Sequence, residues 1–246
     1  MQCNIKHLIG YSLGAIDGEI GNVEEFYFDD KTWTIRYMIV KTGGWLLGRK
    51  VLISQDSLQE PDWEKKEFPV NLTKEQIQSS PYIDTDKPVS RQMEIELYGH
   101  YLWQPYWGNG YYGGSGIWNM TNEYPLISAE TVKNTDSDEH LNDDQHLRST
   151  HSITDYHLQA IDGDIGHVTD FIMDDVTWQL KYLIINTHNY IGGKKVLIAV
   201  ENIKEVSWEK SKIIVDISKA AVNNCVLFDE SKYNHSKNAK LSSANN

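Results

Sequence analysis

Ala15-Ile16-Asp17-Gly18-Glu19-Ile20-Gly21-Asn22-Val23 decides the fold, because it returns 145 positions later as Ala160-Ile161-Asp162-Gly163-Asp164-Ile165-Gly166-His167-Val168. Asp-Gly between two apolar runs signals a tight hairpin turn, since glycine reaches positive φ without a Cβ clash. The agreement continues without a gap. Phe26, Asp29, Asp30, Thr32, Trp33, Tyr37 and Ile39 recur as Phe171, Asp174, Asp175, Thr177, Trp178, Tyr182 and Ile184. Lys50-Val51-Leu52-Ile53 recurs as Lys195-Val196-Leu197-Ile198, and Trp63-Glu64-Lys65 as Trp208-Glu209-Lys210. Solenoid repeats recur every 20–50 residues or so and need several copies, so one match at one large offset indicates a duplicated domain. The correspondence fades near Asp84 and Asp229, which leaves modules of about 75–80 residues, large enough to fold alone.

Within a module the pattern is β. Residues 21–28, 34–41 and 50–54 are short runs rich in Val, Ile, Phe and Tyr, separated by turn residues. Trp33, Ile35, Tyr37 and Ile39 fall at every second position, as do Trp178, Leu180, Tyr182 and Ile184, so one face of that strand can enter a core. Asp29-Asp30-Lys31-Thr32 reads as the next turn. Many short antiparallel strands in so few residues leave exposed edges unless the sheet curls on itself, which favours a small barrel. One short helix is predicted to end each module. The first covers 73–79, opened by Thr73 with Gln76 three positions on as a capping box and stopped by Pro81; its counterpart covers 218–224. The expected fold is all-β with minor α: two small antiparallel β-barrels in tandem. The first is placed at 5–84 and the second at 150–229, with an aromatic, Gly-rich and acidic connector at 85–149 and a disordered tail at 230–246.

The 246 residues carry a net charge of −12, with 40% hydrophobic and 24% charged side chains. Such a surface repels phosphate backbones, so nucleic acid is not an expected partner. No apolar run approaches the roughly 20 residues of a membrane-spanning helix, so no membrane insertion is expected. The start, Met1-Gln2-Cys3-Asn4-Ile5-Lys6, lacks the features of a secretory signal, and a cytoplasmic location is expected. Cys3 and Cys225 lie far apart in sequence without a CxxC pair and read as free thiols.

These motifs, A-x-D-G-x-I-G-x-V, then F-x-x-D-D-x-T-W-x-x-x-Y, then a loop and K-V-L-I, resemble the PRC-barrel across both modules. The family is named for the cytoplasmic barrel of the photosynthetic reaction centre H subunit, and a related barrel occurs in a ribosome-maturation factor. Residues 84–92 and 94–98 resemble the connector of tandem bacterial members. The resemblance implies a binding or assembly domain, not an enzyme, and implies fold more firmly than function.

Each candidate site has a structural alternative. Asp29-Asp30 and Asp174-Asp175 concentrate charge as a cation site would, yet Asp also caps turns through its own side chain. Gly18, Gly21, Gly163 and Gly166 lack the spacing of a phosphate loop and read as hairpin and bulge residues. The nine histidines, among them His140, His146, His151 and His157, match no zinc signature. No cofactor, metal or catalytic residue is therefore expected. Two places offer contacts to a partner or to a second copy. One is the pair of equivalent loops holding Trp45, Leu46 and Leu47, and Tyr190 and Ile191. The other is the aromatic connector with Trp103, Tyr106 and Trp107. Both sets of rings could instead pack back on the barrels. The expected function is a non-catalytic binding or assembly module acting through a protein partner or self-association. The alternative is a small-ligand or metal-binding protein or an enzyme with a cleft between the barrels. Duplicate barrels descended from an ancestral dimer would pack with pseudo-two-fold symmetry.

Overall fold

The computed structural model describes residues 1–82, 89–103, 105–106, 145–187 and 193–234. In chain order the elements are β1 (Gln2–Asn4), β2 (Ser12–Ala15), β3 (Gly18–Asp29), β4 (Thr34–Thr42), β5 (Lys50–Ser54), β6 (Glu67–Pro69) and α1 (Lys74–Gln78). Then come β7 (Val89–Ser90), α2 (Arg91–Tyr101), β8 (Gln145–Ser149) and α3 (Thr150–Ile153). The second module follows with β9 (His157–Ala160), β10 (Gly163–Asp174), β11 (Leu180–Asn186), β12 (Lys195–Ala199), β13 (Ile203–Ser207), β14 (Lys212–Val215) and α4 (Lys219–Val222).

Each module forms one sheet around its Asp-Gly hairpin. The first runs β5-β4-β3-β2-β6 and the second β12-β11-β10-β9-β14-β13. Gly18 and Gly163 take φ of 133° and 131° at the hairpin, so the turn needs glycine in both copies. The helix expected at the end of each module is present. Thr73 and Gln76 form the reciprocal capping box of α1, and Ser218 caps α4 by accepting from the Ala221 amide.

The purely antiparallel expectation is corrected, since β2 pairs with β6 and β9 with β14 in parallel. The last strand of each module returns beside the first, a non-local pairing that hairpin signals cannot reveal. A second correction concerns β4. Trp33 sits in the turn before the strand at φ 56°, and Met38 and Val40 are as buried as Tyr37 and Ile39. Both faces of this part of the strand are covered, so the alternation expected of a half-exposed strand is lost. Helix α2, which the sequence reading did not anticipate, lies within the aromatic, Gly-rich and acidic connector placed at 85–149. It docks on the first module through Leu97, Tyr98 and Tyr101, all buried. At the start of the stretch expected as a tail, Glu230–Tyr233 forms a 3-10 turn and Tyr233 stacks on Phe228 at 5.8 Å. The acidic stretch at 136–144 and the tail beyond Asn234 lie outside the described residues.

The two modules interlock by exchanging strands. β1 leaves the first module and pairs with β10 of the second, Gln2 opposite Asp174 and Asn4 opposite Ile172. β8 precedes the second module and pairs with β3 of the first, Leu147 opposite Asp29 and Ser149 opposite Tyr27. Positions 2–4 and 147–149 are equivalent at the repeat offset, so the exchange is reciprocal. The same symmetry governs the centre. Thr34 bridges Gln179, its own equivalent, flanked by Ile35 N–H donating to Trp178 O and Leu180 N–H donating to Trp33 O, each at 2.8 Å. Beside it, Asp30 N–H donates to His146 O at 3.0 Å and Asp175 N–H to Met1 O at 2.9 Å. A pseudo-two-fold axis therefore passes between Thr34 and Gln179. Phe28 and Phe171 meet across it at 6.5 Å, and Trp178 reaches Phe68 of the first module at 6.4 Å. The result is one continuous core drawn from both modules.

Candidate functional site

The turn at Asp29 shows what the paired carboxylates do. Asp29 Oδ1 accepts from the amides of Lys31 and Thr32, and Asp174 Oδ1 accepts from those of Val176 and Thr177. These amides hold the Asp174 carboxyl below its usual range, the Thr177 amide contributing most. Asp30 and Asp175 turn instead to the exchanged strands: Arg148 Nε lies 3.3 Å from Asp30, and the N-terminal ammonium pairs with Asp175. The Asp pairs are turn and junction residues. Among the described residues no group of three or more His, Cys, Asp or Glu is arranged to hold a metal ion.

The densest polar cluster lies where α2, β4 and β8 meet, around the fully buried Glu94. Its Oε1 accepts from Tyr37 Oη at 2.7 Å and Tyr106 Oη at 2.9 Å. Its Oε2 lies 2.7 Å from Arg91 Nη1 and 2.8 Å from His146 Nε2. Arg36 spreads over the Tyr106 ring at 3.7 Å and reaches Asp29 at 3.7 Å. A carboxylate without water is costly unless several donors replace its hydration, and here four do. Burial beside this carboxylate pushes the Tyr37 and Tyr106 hydroxyls well above their usual range, so both remain donors. The cluster draws on the first barrel, the connector helix and the exchanged strand at once. Its buried position suits a tie between elements.

Sequence reading missed Glu94, Arg91 and Arg36 and dismissed His146 as a scattered histidine. One signal was available: Met93, Leu97 and Tyr101, with Tyr98, follow helical spacing after the potential cap Ser90, and Glu94 sits within that stripe.

The expected partner contacts divide. Trp45 is half-buried on its own barrel, its indole N–H donating to Ile20 O at 2.7 Å, and Leu46 packs against the same core. Leu47, at φ 54°, is 97% exposed. Trp103 stacks on Tyr101 at 4.3 Å and Tyr106 binds Glu94, so these connector rings are packed on the first module. Tyr190, Ile191 and Trp107 lie outside the described residues. One feature went unnoticed at the sequence level: Ile16 and Ile161, equivalent positions at the two hairpins, are each 69% exposed. Each backbone amide bonds inward, to Leu72 O and Ile217 O, while the side chain faces solvent.

A duplicated, mostly β module with a short terminal helix and a strand-exchanged pseudo-dimer core defines a tandem small-β-domain protein. The sequence profile of the PRC-barrel domain matches residues 5–77 and 156–222, more than half of the chain. The chain therefore belongs to the PRC-barrel domain family. No curated protein is similar enough to count as a relative. Among the described residues no helix is long and apolar enough to cross a membrane.

Proposed function

We propose that the chain is a non-catalytic assembly module: a fused pair of PRC-type barrels, cytoplasmic, that presents equivalent apolar tips to a protein partner. The observation that carries this reading is the duplicated exposure of Ile16 and Ile161 at 69% each. An exposed Ile contributes little to folding, yet both copies hold one at the same turn. Each tip lies at the end of β3 or β10 remote from the pseudo-dyad, since both strands run from the hairpin to the Asp turn at the centre. The module is thus bivalent, and Leu47 extends the apolar surface of the first barrel. Return of β6 beside β2 and β14 beside β9 is the arrangement a small closed barrel uses. The apolar, strand-filled junction between modules supports recognition on the outer surface rather than in an interdomain cleft.

The test compares wild type with Ile16→Ser, Ile161→Ser and Leu47→Ser, singly and combined. Co-purification from the native cell and solution mass are measured alongside melting temperature. Partner or self-association should be lost in the combined variant with the melting temperature nearly unchanged. An unchanged association profile in that variant would overturn the reading.

A further inference from the structure

Each sheet carries a second apolar face at equivalent positions. In the second module Ile172, Tyr182, Ile184 and Leu197 alternate with main-core residues such as Leu183 and Ile198, so they point to the opposite side of the sheet. Their counterparts 145 positions earlier are Tyr27, Tyr37, Ile39 and Leu52, all buried. The covers differ between the copies. On the first face lies α2, with Tyr98 edge-on to Tyr37 at 6.5 Å and Glu94 Oε1 accepting from the Tyr37 hydroxyl at 2.7 Å. On the second face Ile172, Ile184 and Leu197 form a small cluster apart from the main core, packed against Phe228 and Tyr233.

Those two rings belong to the chain after α4. Residues 226–228 add a short edge to β12, Leu197 N–H donating to Val226 O and Phe228 N–H to Lys195 O, each at 2.9 Å, and the 3-10 turn Glu230–Tyr233 follows. This cover is slight: Val226 and Leu227 are 64% and 53% exposed, and both rings are only half-buried. The polar features of the first face are also repeated. Tyr182 stands where Tyr37 stands and Lys181 where Arg36 stands, yet among the described residues no carboxylate bonds the Tyr182 hydroxyl.

We infer that the second face is a helix-docking surface closed by the chain's own residues 226–233, and that its occupant is an amphipathic helix of a partner protein with a carboxylate inside its apolar stripe. The first module supplies the argument, because there the equivalent face seats an 11-residue helix of that kind. Tyr182 donates to the incoming carboxylate and Lys181 supplies the opposite charge beside it, as Tyr37 and Arg36 do around Glu94. Docking displaces Phe228 and Tyr233, so the segment is an autoinhibitory cover. The surface uses none of the residues at the apolar tips and stands independently of what they bind.

The probe is a synthetic peptide of residues 89–103, held helical by a hydrocarbon staple between positions 95 and 99, both exposed in α2. Its binding to the full chain is measured by fluorescence anisotropy. Phe228→Ala combined with Tyr233→Ala should raise the affinity roughly tenfold or more, because the cover no longer has to be displaced. Glu94→Gln in the peptide, or Tyr182→Phe in the chain, should each weaken binding about tenfold, as loss of a hydrogen bond to a charged group does. In the wild-type chain under excess peptide, amide protection from hydrogen exchange should fall at 228–233 and stay unchanged in the first module. That measurement decides the matter if the double variant melts early. Unchanged affinity in a folded double variant, indifference to Tyr182→Phe, or exchange that changes in the first module and not at 228–233 would each overturn the docking surface.

Discussion

Glu94 shows how one buried charge organises three elements. Four donors from β4, α2, the residues after it and β8 converge on its two oxygens. Removing the charge while keeping the shape, as in Glu94→Gln, leaves the buried cluster's Arg91 without its counter-charge and His146 without its carboxylate partner. The expected loss is about 3–5 kcal/mol, the usual cost of breaking a buried pair from one side, measured by urea unfolding. Glu94 was not legible in sequence because a glutamate among apolar positions carries no label for the donors that will surround it. Those donors come from positions 37, 91, 106 and 146. By contrast Asp29 and Asp174 were read correctly as turn residues, because an Asp capping the next two or three amides is a local event. Trp33 and Trp178 fall between these cases. Both take the left-handed conformation, at φ 56° and 57°, which a β-branched or aromatic residue avoids without compensation. Trp33 is held there by stacking on Phe28 at 5.2 Å and by the Leu180 amide on its carbonyl, a tertiary cause with no local signature.

At the scale of elements, the hairpins and terminal helices were legible and the connector helix was not. Asp-Gly turns and capping boxes act over three or four residues, so their letters suffice. Helix α2 contains Gly99 and several aromatics, weak helix formers, and forms because its apolar stripe finds the first barrel and because His100 reaches Gln76 O at 2.8 Å. Strand spacing supplies a further test. A Cβ on Gly21 would lie 2.0 Å from Lys41 O, and one on Gly166 2.0 Å from Asn186 O. Because the obstacle is backbone of the paired strand, the strands must separate to admit even a methyl group. Gly21→Ala and Gly166→Ala should each destabilise by roughly 1–3 kcal/mol, whereas Gly44→Ala, which meets nothing within 4 Å, should be nearly neutral. Thermal unfolding of the three variants checks the order.

At the scale of the molecule, the duplication was plain in sequence and the exchange was not. β1 has only three residues, Gln2–Asn4, too few for any periodic pattern, and its partner lies about 170 positions away. What the sequence did allow was the expectation that copies descended from a dimer would pack about a pseudo-dyad, and Thr34 opposite Gln179 meets it. An interlocked pair should unfold as one unit, so tryptophan fluorescence and far-UV circular dichroism should give coincident urea transitions; two separated transitions would mean independent modules. Bivalent presentation has its own signature. Joining two sites can raise avidity by roughly 10²–10⁴, so Ile16→Ser or Ile161→Ser alone should weaken binding to a multivalent surface nearly as much as both together, while leaving binding to a monovalent partner reduced by about half in stoichiometry.

The most direct test of the interlock is deletion of residues 1–4 followed by region-resolved hydrogen exchange. Because β1 belongs to the sheet of the second module, the deletion should strip protection from residues 170–174, whose outer edge it covers, and leave the hairpin of β2 and β3 near its original level. Loss of protection confined to the first module, or none at 170–174, would contradict the strand-exchanged pseudo-dimer.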